Sequence, residues 1–531
     1  MRMTLTPRVP HDGGRKTSLP RPVAGAHRSP PRDGRRRVSE LMEATPMTLI
    51  NDKTDARVAL PAYDRKTLSH GIVHVGLGNF HRAHQAVYLD DLFARGLDHD
   101  WAITGAGVRA PDARMRAALL AQDCLSTVIE LSAEGQSPRV VGAMIDYVDI
   151  AETNGPLIAR MIDAATRIVS LTVTEGGYFV DPATETFDPT HPDIVADGAA
   201  PDAPRTVFGA IVAALAARRG AGQTPFTVMS CDNIPGNGDV TRDAVIGTAR
   251  LSDPALAEWI AANVAFPNSM VDRITPATGD RERALAASFG LSDPVPVTCE
   301  PFRQWVLQDS FTQGRPRLEE VGVTFTDNVH AYERMKIRIL NGGHAIIAYA
   351  GALMGCDLAD EAMSHPLVHA YFRKVEETEV LPQVHPVPEF TPEAYLELID
   401  QRFSNPAVKD TLRRLCFDGS NRQPKFIVPA IADALKSDAP VDGLALESAL
   451  WCRYCAGHFE DGTEIEPNDP DWDRLKNLAT VARTRPQIWL EQPSVYGDLA
   501  SNVRFAALFA RWLTRLWEDG AQVTLDAYVK G

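Results

Sequence analysis

An amine, a carboxamide and an imidazole fall close together in this chain, as Lys336, Asn341 and His344 of the stretch Tyr332-Glu333-Arg334-Met335-Lys336-Ile337-Arg338-Ile339-Leu340-Asn341-Gly342-Gly343-His344. The spacing predicts a helix through residue 353, and at about 100° per residue Lys336, His344 and Asn341 stand at roughly 0°, 80° and 140°. One broad face then carries all three, while Ile337, Ile339 and Leu340 pack elsewhere. Such a face reads as a catalytic wall, an amine, a carboxamide and an imidazole being groups that exchange protons or hydrogen bonds with a ligand. Gly342 and Gly343 cost about 1 kcal/mol each against Ala in mid-helix, a cost expected where a ligand or another backbone comes close. The alternative is a solvated lysine, a core histidine and a helix broken at the glycines, and the rest of the chain decides between the two.

The elements that must position this wall begin at residue 71. A short apolar run over 71–75 enters Gly76-Leu77-Gly78, and the segment 82–95 carries Ala83, Ala86, Val87, Leu89, Leu92 and Phe93 at near-helical spacing. A second strand over 101–108 completes a β-α-β unit, in which glycines let the backbone approach a pyrophosphate. The pattern is G-x-G-x-x-H, with His81 in the place of a third glycine. Asp112, just past the second strand, can accept from a ribose 2′-OH and repel a 2′-phosphate, which predicts NAD rather than NADP. Arg109 in the same loop is the residue that would pair with such a phosphate.

Further strands are expected over 139–150, 167–174 and 225–230, with a helix over 207–219, so the alternation predicts a parallel sheet covered on both faces. Ligands bind at the C-terminal ends of such strands, which is where Thr174-Glu175-Gly176-Gly177-Tyr178 and Cys231-Asp232-Asn233 fall. After about residue 327 the pattern turns helical, with further helices over 364–380, 391–401, 406–416, 429–436, 444–459, 473–484 and 502–520. The expected architecture is α/β: a Rossmann-type parallel-sheet domain over 47–327 and a mainly α-helical domain over 328–531. The Lys336 helix lies near their junction, a favoured place for a ligand cleft.

The length of 531 residues suffices for two or three domains. A net charge of −15 and a pI near 5.4 argue against nucleic acid as partner and favour a small neutral ligand. No apolar run approaches the ~20 residues that span a bilayer, and nothing resembles a signal peptide. The seven cysteines are odd in number and scattered, as in a reducing compartment, so a cytoplasmic protein without membrane contact is expected. Residues 1–46, with Arg35-Arg36-Arg37, are expected to be a disordered basic extension. It reads either as a targeting or nucleic-acid arm or, favoured for want of an amphipathic helix, as a start assigned upstream of a true Met47. The pairs His81/His84 and Cys452/Cys455 resemble metal ligands but lack further partners at recognisable spacing. They read as structural, and no metal is expected.

With Gly76-Leu77-Gly78-Asn79-Phe80-His81-Arg82-Ala83-His84, the Thr174 and Ser230-Cys231-Asp232-Asn233 segments, Val271-Asp272-Arg273-Ile274-Thr275-Pro276 and Lys336-x4-Asn341-x2-His344 in this order, the chain resembles the polyol-specific long-chain dehydrogenases of the mannitol dehydrogenase family, from about residue 60 onward. The resemblance implies a metal-independent enzyme using NAD(P). By similarity Lys336 is the general base, Asn233 and Asn341 bind the oxyanion, and His344 orients the substrate. Asp272 stands behind the lysine, Glu333 relays protons to it, and Arg414 and Arg422 contact substrate. The cofactor would lie on Gly76, Gly78, Asn79, Phe80, Asp112, Thr174 and Glu175, and His81 becomes a family feature.

The implied reaction is NAD-dependent oxidation of a polyol and the reverse ketose reduction, D-mannitol to D-fructose first, with D-arabinitol or D-sorbitol also admitted, by a monomer or small homo-oligomer. Arg422 stands where a mannitol enzyme is expected to have Lys, which leaves the sugar open. The rival on the same fold is a hexuronate reductase acting on fructuronate or tagaturonate, whose carboxylate suits Arg414 and Arg422. From another class, a catalytically inactive nucleotide-sensing protein is disfavoured by the intact set Lys336, Asn233, Asn341 and His344.

Overall fold

In the computed structural model, which describes residues 49–531 apart from 182, 183 and 185, strand β1 (His70–Val75) is the hub of a parallel sheet. On one side it pairs with β2 (Ala102–Ala106), followed by β3 (Met144–Tyr147); on the other with β4 (Ile168–Leu171), followed by β5 (Thr227–Ser230). All four pairings are parallel, and the order β3-β2-β1-β4-β5 is that of an open Rossmann-type sheet whose strand order reverses at β1/β4. Ile72, Val73 and Val75 are all buried, because β1 lies inside a sheet covered on both faces. His74 is the polar exception, and it is satisfied: Nδ1 lies 2.8 Å from Ser170 Oγ and Nε2 2.9 Å from Thr172 Oγ1. The loops after β1, β4 and β5 open at the same sheet edge.

Two of the three smaller sheets among the described residues bear on the site. Ser126–Ser132 and Gly135–Val141 form a hairpin joined by Val297–Cys299, and Ser269–Asp272 pairs antiparallel with Gln304–Leu307. The single strand expected over 139–150 is therefore two, in different sheets. The chain breaks at Gly142, whose amide donates 2.8 Å to buried Asp90 instead of to a sheet neighbour. The helix expected over 82–95 is likewise split, into Asn79–Ala83 and Gln85–Ala94, with His84 between them turned to the carbonyl of Gln304 at 2.9 Å.

The helical half is built around Asp442–Cys455, buried on every side from Gly443 on. Cys452 and Cys455 are free thiols inside it. Of the helix expected over 406–416 only Leu412–Leu415 forms, since Lys409 takes a left-handed φ of 57°. The apolar core of this half includes Met270 and Val306 from the sheet half, and the described residues belong to one compact unit. The extension over 1–46 lies outside the described residues. Among those described, no helix is long and apolar enough to cross a membrane.

Candidate active site

The Lys336 helix runs over three consecutive pieces: an α segment Val329–Met335, a π turn Lys336–Asn341, and an α segment Gly342–Leu353. The π turn corrects the angular reading from sequence. In a regular α helix residues five apart diverge by about 140°, whereas i→i+5 bonding brings them nearly one above the other. Lys336 and Asn341, five apart, thereby share a wall they would otherwise straddle. Gly343 serves packing: a Cβ there would lie 2.9 Å from the Phe372 ring and 3.3 Å from that of Phe403, so the helix is pressed against its own half at that point.

That wall closes one side of a cleft of about 660 Å³, a usual size for a small-ligand site. Lys336, Asn341 and His344 line it together with Asn233 and Asp272, and so do Gly76, Gly78, Asn79, Phe80, Asp112, Thr174, Arg414 and Arg422. The residues singled out by motif converge on a single space between sheet edge and helical half. Glu175 follows Thr174 into a 3-10 turn. Glu333 stands behind Lys336, and a small cavity of about 10 Å³ is lined by both and by Asn233, room for about one water.

Lys336 is buried, and its Nζ donates to the Asn233 side-chain oxygen and to Val271 O at 2.9 Å. Burial pushes the amine below the usual lysine range; Asp272 and Glu333 oppose that shift and Arg402 adds to it. Because Asn233 accepts from the amine through its oxygen, its amide N–H groups are left to donate. Asn341 Oδ1 and His344 Nε2 are buried without a protein partner among the described residues. The His344 ring stacks on Phe403 at 4.2 Å, and burial holds it well below the usual histidine range, so neutral. Glu333 accepts from Gly236 N at 3.1 Å and pairs with His330 at 2.8 Å. Burial raises its carboxyl against the pull of His330.

Arg402 was not singled out from the sequence, where the helix was expected to end at 401. It lies at the end of Pro392–Phe403 and grips both oxygens of Asp272, at 2.7 and 3.0 Å, and both of Glu300, at 2.9 and 2.7 Å. Burial pushes the Asp272 carboxyl up, but Arg402 and Lys336 outweigh it, so Asp272 sits below the usual carboxylate range. At Glu300 burial wins and the shift is upward. The available signal was a lone arginine three residues after Ile399 on the apolar stripe Tyr395, Leu396, Ile399, Phe403.

At the sheet edge, Gly76 has φ +99°, and a Cβ there would meet Thr172 O at 2.1 Å; only glycine fits this turn. The Asn79 side chain is already committed, donating to Pro276 O and Thr278 Oγ1 at 2.9 Å each, so any ligand contact at Asn79 falls to its backbone. Asp112 Oδ2 accepts from the amides of Val108 (3.1 Å) and Arg109 (3.0 Å). Asp232 fastens two loops together: it accepts from Val173 N at 2.9 Å, Thr174 N at 3.0 Å and Tyr178 Oη at 2.6 Å. Thr174, a non-glycine at φ +69°, is held in that strained conformation by this grip. At the other end Arg414 is paired bidentately with Asp410, at 2.6 and 2.5 Å, and Arg422 donates to Leu415 O at 2.9 Å.

Comparison with known proteins extends this picture. The family model of the mannitol dehydrogenase Rossmann domain matches residues 70–320, and that of the mannitol dehydrogenase C-terminal domain matches 328–517. The mannitol 2-dehydrogenase of Cereibacter sphaeroides is 63% identical over 472 residues, covering 89% of this chain and 99% of that protein. The mannitol 2-dehydrogenase of Phaeosphaeria nodorum is 42% identical over 95% of this chain and 92% of its own. Among solved structures, Pseudomonas fluorescens mannitol 2-dehydrogenase in ternary complex with NAD and D-mannitol superposes with a TM-score of 0.83 at 41% identity, covering 90% of this chain and 98% of that one. A substrate-free D-sorbitol dehydrogenase gives 0.79 at 34%, over 89% and 98%.

The three-way grip of Asp232 yields a stability prediction. Asp232→Ala leaves the Val173 and Thr174 amides without their acceptor and Tyr178 with Ser230 Oγ at 2.7 Å as its remaining partner, each lost bond being worth about 1–3 kcal/mol. The unfolding temperature is expected to fall by several degrees. An unchanged thermal transition would show that the grip contributes little.

Proposed function

The chain belongs to the mannitol dehydrogenase family, and from that premise we propose that it oxidises a polyol, D-mannitol foremost, to its 2-ketose with NAD, and runs the reduction in reverse. The observation that carries this reading is the convergence of a buried amine, which burial pushes below the usual lysine range, with two carboxamides and an imidazole whose Nε2 has no partner among the described residues, on one cleft. The two relatives and the Pseudomonas structure named above support it, since that structure holds NAD and D-mannitol. We propose the residues over 47–327 as the cofactor domain and 328–531 as the substrate domain, with the cleft between them.

Hydride leaves a secondary alcohol only as its hydroxyl proton is removed, so the substrate oxygen needs both a base and a home for growing negative charge. Lys336 is the base. An ordinary lysine, with pKa about 10.4, is a poor one at neutral pH, and burial lowers it toward a useful range. Asn233, oriented by its bond to the amine, and Asn341 donate to the oxygen; one donor of this kind is worth about 3 kcal/mol. These two amides fill the electrophile's role without a metal, and among the described residues no group of three His, Cys, Asp or Glu side chains is placed to hold one. Glu333, joined to His330 and facing the water-sized cavity beside Lys336, is placed to pass the proton outward.

NAD supplies the hydride acceptor when bound. The glycine turn at Gly76 and Gly78 with Phe80 and the Thr174 turn would hold it, and Asp112 would meet its ribose through the oxygen not taken up by the loop amides. His344 holds the hydroxyl next to the reacting carbon. A hexuronate is disfavoured because its carboxylate would have to compete with Asp410 for Arg414.

Lys336→Ala should retain the thermal transition and NADH binding yet lower kcat for D-mannitol oxidation by about 10²–10⁴, with partial rescue by a small primary amine; near wild-type turnover with the pH profile intact would place the base elsewhere. Asp112→Ala should raise the ratio of NADP to NAD efficiency, and an unaltered ratio would remove Asp112 from cofactor choice. Prolonged dialysis against EDTA should leave turnover unchanged; loss of activity restored by zinc would contradict the metal-free scheme.

A further inference from the structure

Arg402 is held by more than packing needs. Its guanidinium spends one edge on Asp272 and the other on Glu300, and its plane lies over the Phe302 ring at 4.2 Å. All three members of this Asp272–Arg402–Glu300 triad are buried. A buried triad is a weak stabiliser compared with apolar side chains of the same volume. What it does fix is where the Asp272 charge points.

We propose that Arg402 is a positioning residue for the reaction: by gripping both oxygens of Asp272 it keeps that carboxylate from becoming the counter-ion of the Lys336 amine. The inference rests on the reading of Lys336 as the base. Lys336 donates instead to two neutral carbonyl oxygens, on Asn233 and Val271, and among the described residues no ion pair joins it to Asp272. The charged and titratable groups around the amine are Asp272 at the end of Ser269–Asp272, Glu333 and His344 on its own helix, and Arg402 from Pro392–Phe403. His84 faces Asp272 from the far side, and Tyr395 stands beside Arg402.

Removing Arg402 strands two buried carboxylates, Glu300 and Asp272, and leaves Lys336 as the cation beside Asp272. Asp272 would then hold the proton on the amine and draw Nζ away from Asn233, so that the base gives up its proton only at higher pH and one oxyanion donor loses its orientation.

The test is the pH profile of kcat/KM for D-mannitol oxidation in the full-length enzyme. In R402M the ascending limb should move to higher pH by about one pH unit or more, the usual scale for a carboxylate within ~4–6 Å. R402K, whose single ammonium cannot fork both carboxylates, should move it less in the same direction. D272N/R402M, which still strands Glu300 but leaves no carboxylate in the place of Asp272, should return the limb toward its wild-type position whatever its plateau height, and should be more stable than R402M. A limb unmoved in R402K and in R402M, with only the plateau lowered, overturns the proposal, and R402K decides if R402M does not fold. Lys336→Ala in the same assay separates the two readings. If it leaves the limb in place, the base assignment fails; if it abolishes the limb while the Arg402 variants do not move it, only this inference fails.

Discussion

An ammonium taken out of water costs several kcal/mol unless it loses its proton or finds a counter-charge, and the surroundings of the Lys336 amine are arranged around that constraint. The amine is buried and offered two carbonyl oxygens, acceptors that hold it in place without stabilising the charged form as a carboxylate would. The nearby carboxylate, Asp272, is engaged on both oxygens by Arg402, and Glu300 by the same guanidinium. The second acid near the amine, Glu333, is pinned by the Gly236 amide and His330. Every charge close to the amine is thus fastened to something else.

The same constraint reaches the backbone. To present Lys336 and Asn341 to one oxygen, the helix must depart from α geometry, and it does so through the π turn over those residues. Such a turn weakens local hydrogen bonding and needs support from outside. The support is dense packing: Gly343 lets Phe372 and Phe403 close on the helix, and Phe403 in turn carries the His344 ring. Gly343 is a seat for aromatic rings, whereas Gly342 faces the backbone oxygens of Ile337 and Phe426.

Much of this was legible in the sequence, for stated reasons. Strands covered on both faces write themselves as apolar runs, so the order of β1, β2, β4 and β5 and the glycine turn could be read, and the loops after them carried Thr174 and Asn233 where the sheet edge places them. The segment 139–150 misled because a break such as Gly142 depends on Asp90, far away in sequence. The π turn left no trace, since its residues suit an α helix equally well. Arg402 hid on an apolar helix face one residue beyond the expected helix end, and its meaning depends on Asp272 and Glu300, which only the fold brings to it.

That triad also sets an order of events in time. Asp272 leaves the ribosome 130 residues ahead of Arg402, which at about 5–20 residues per second is an interval of several seconds or more. Until then the sheet half carries two carboxylates, Asp272 and Glu300, that it cannot bury without their cation. Without that cation the two carboxylates need water or a proton, and the helix ending in Arg402 is what closes over them. The last turn of one helix thus acts as the latch by which translation of the second half completes the first.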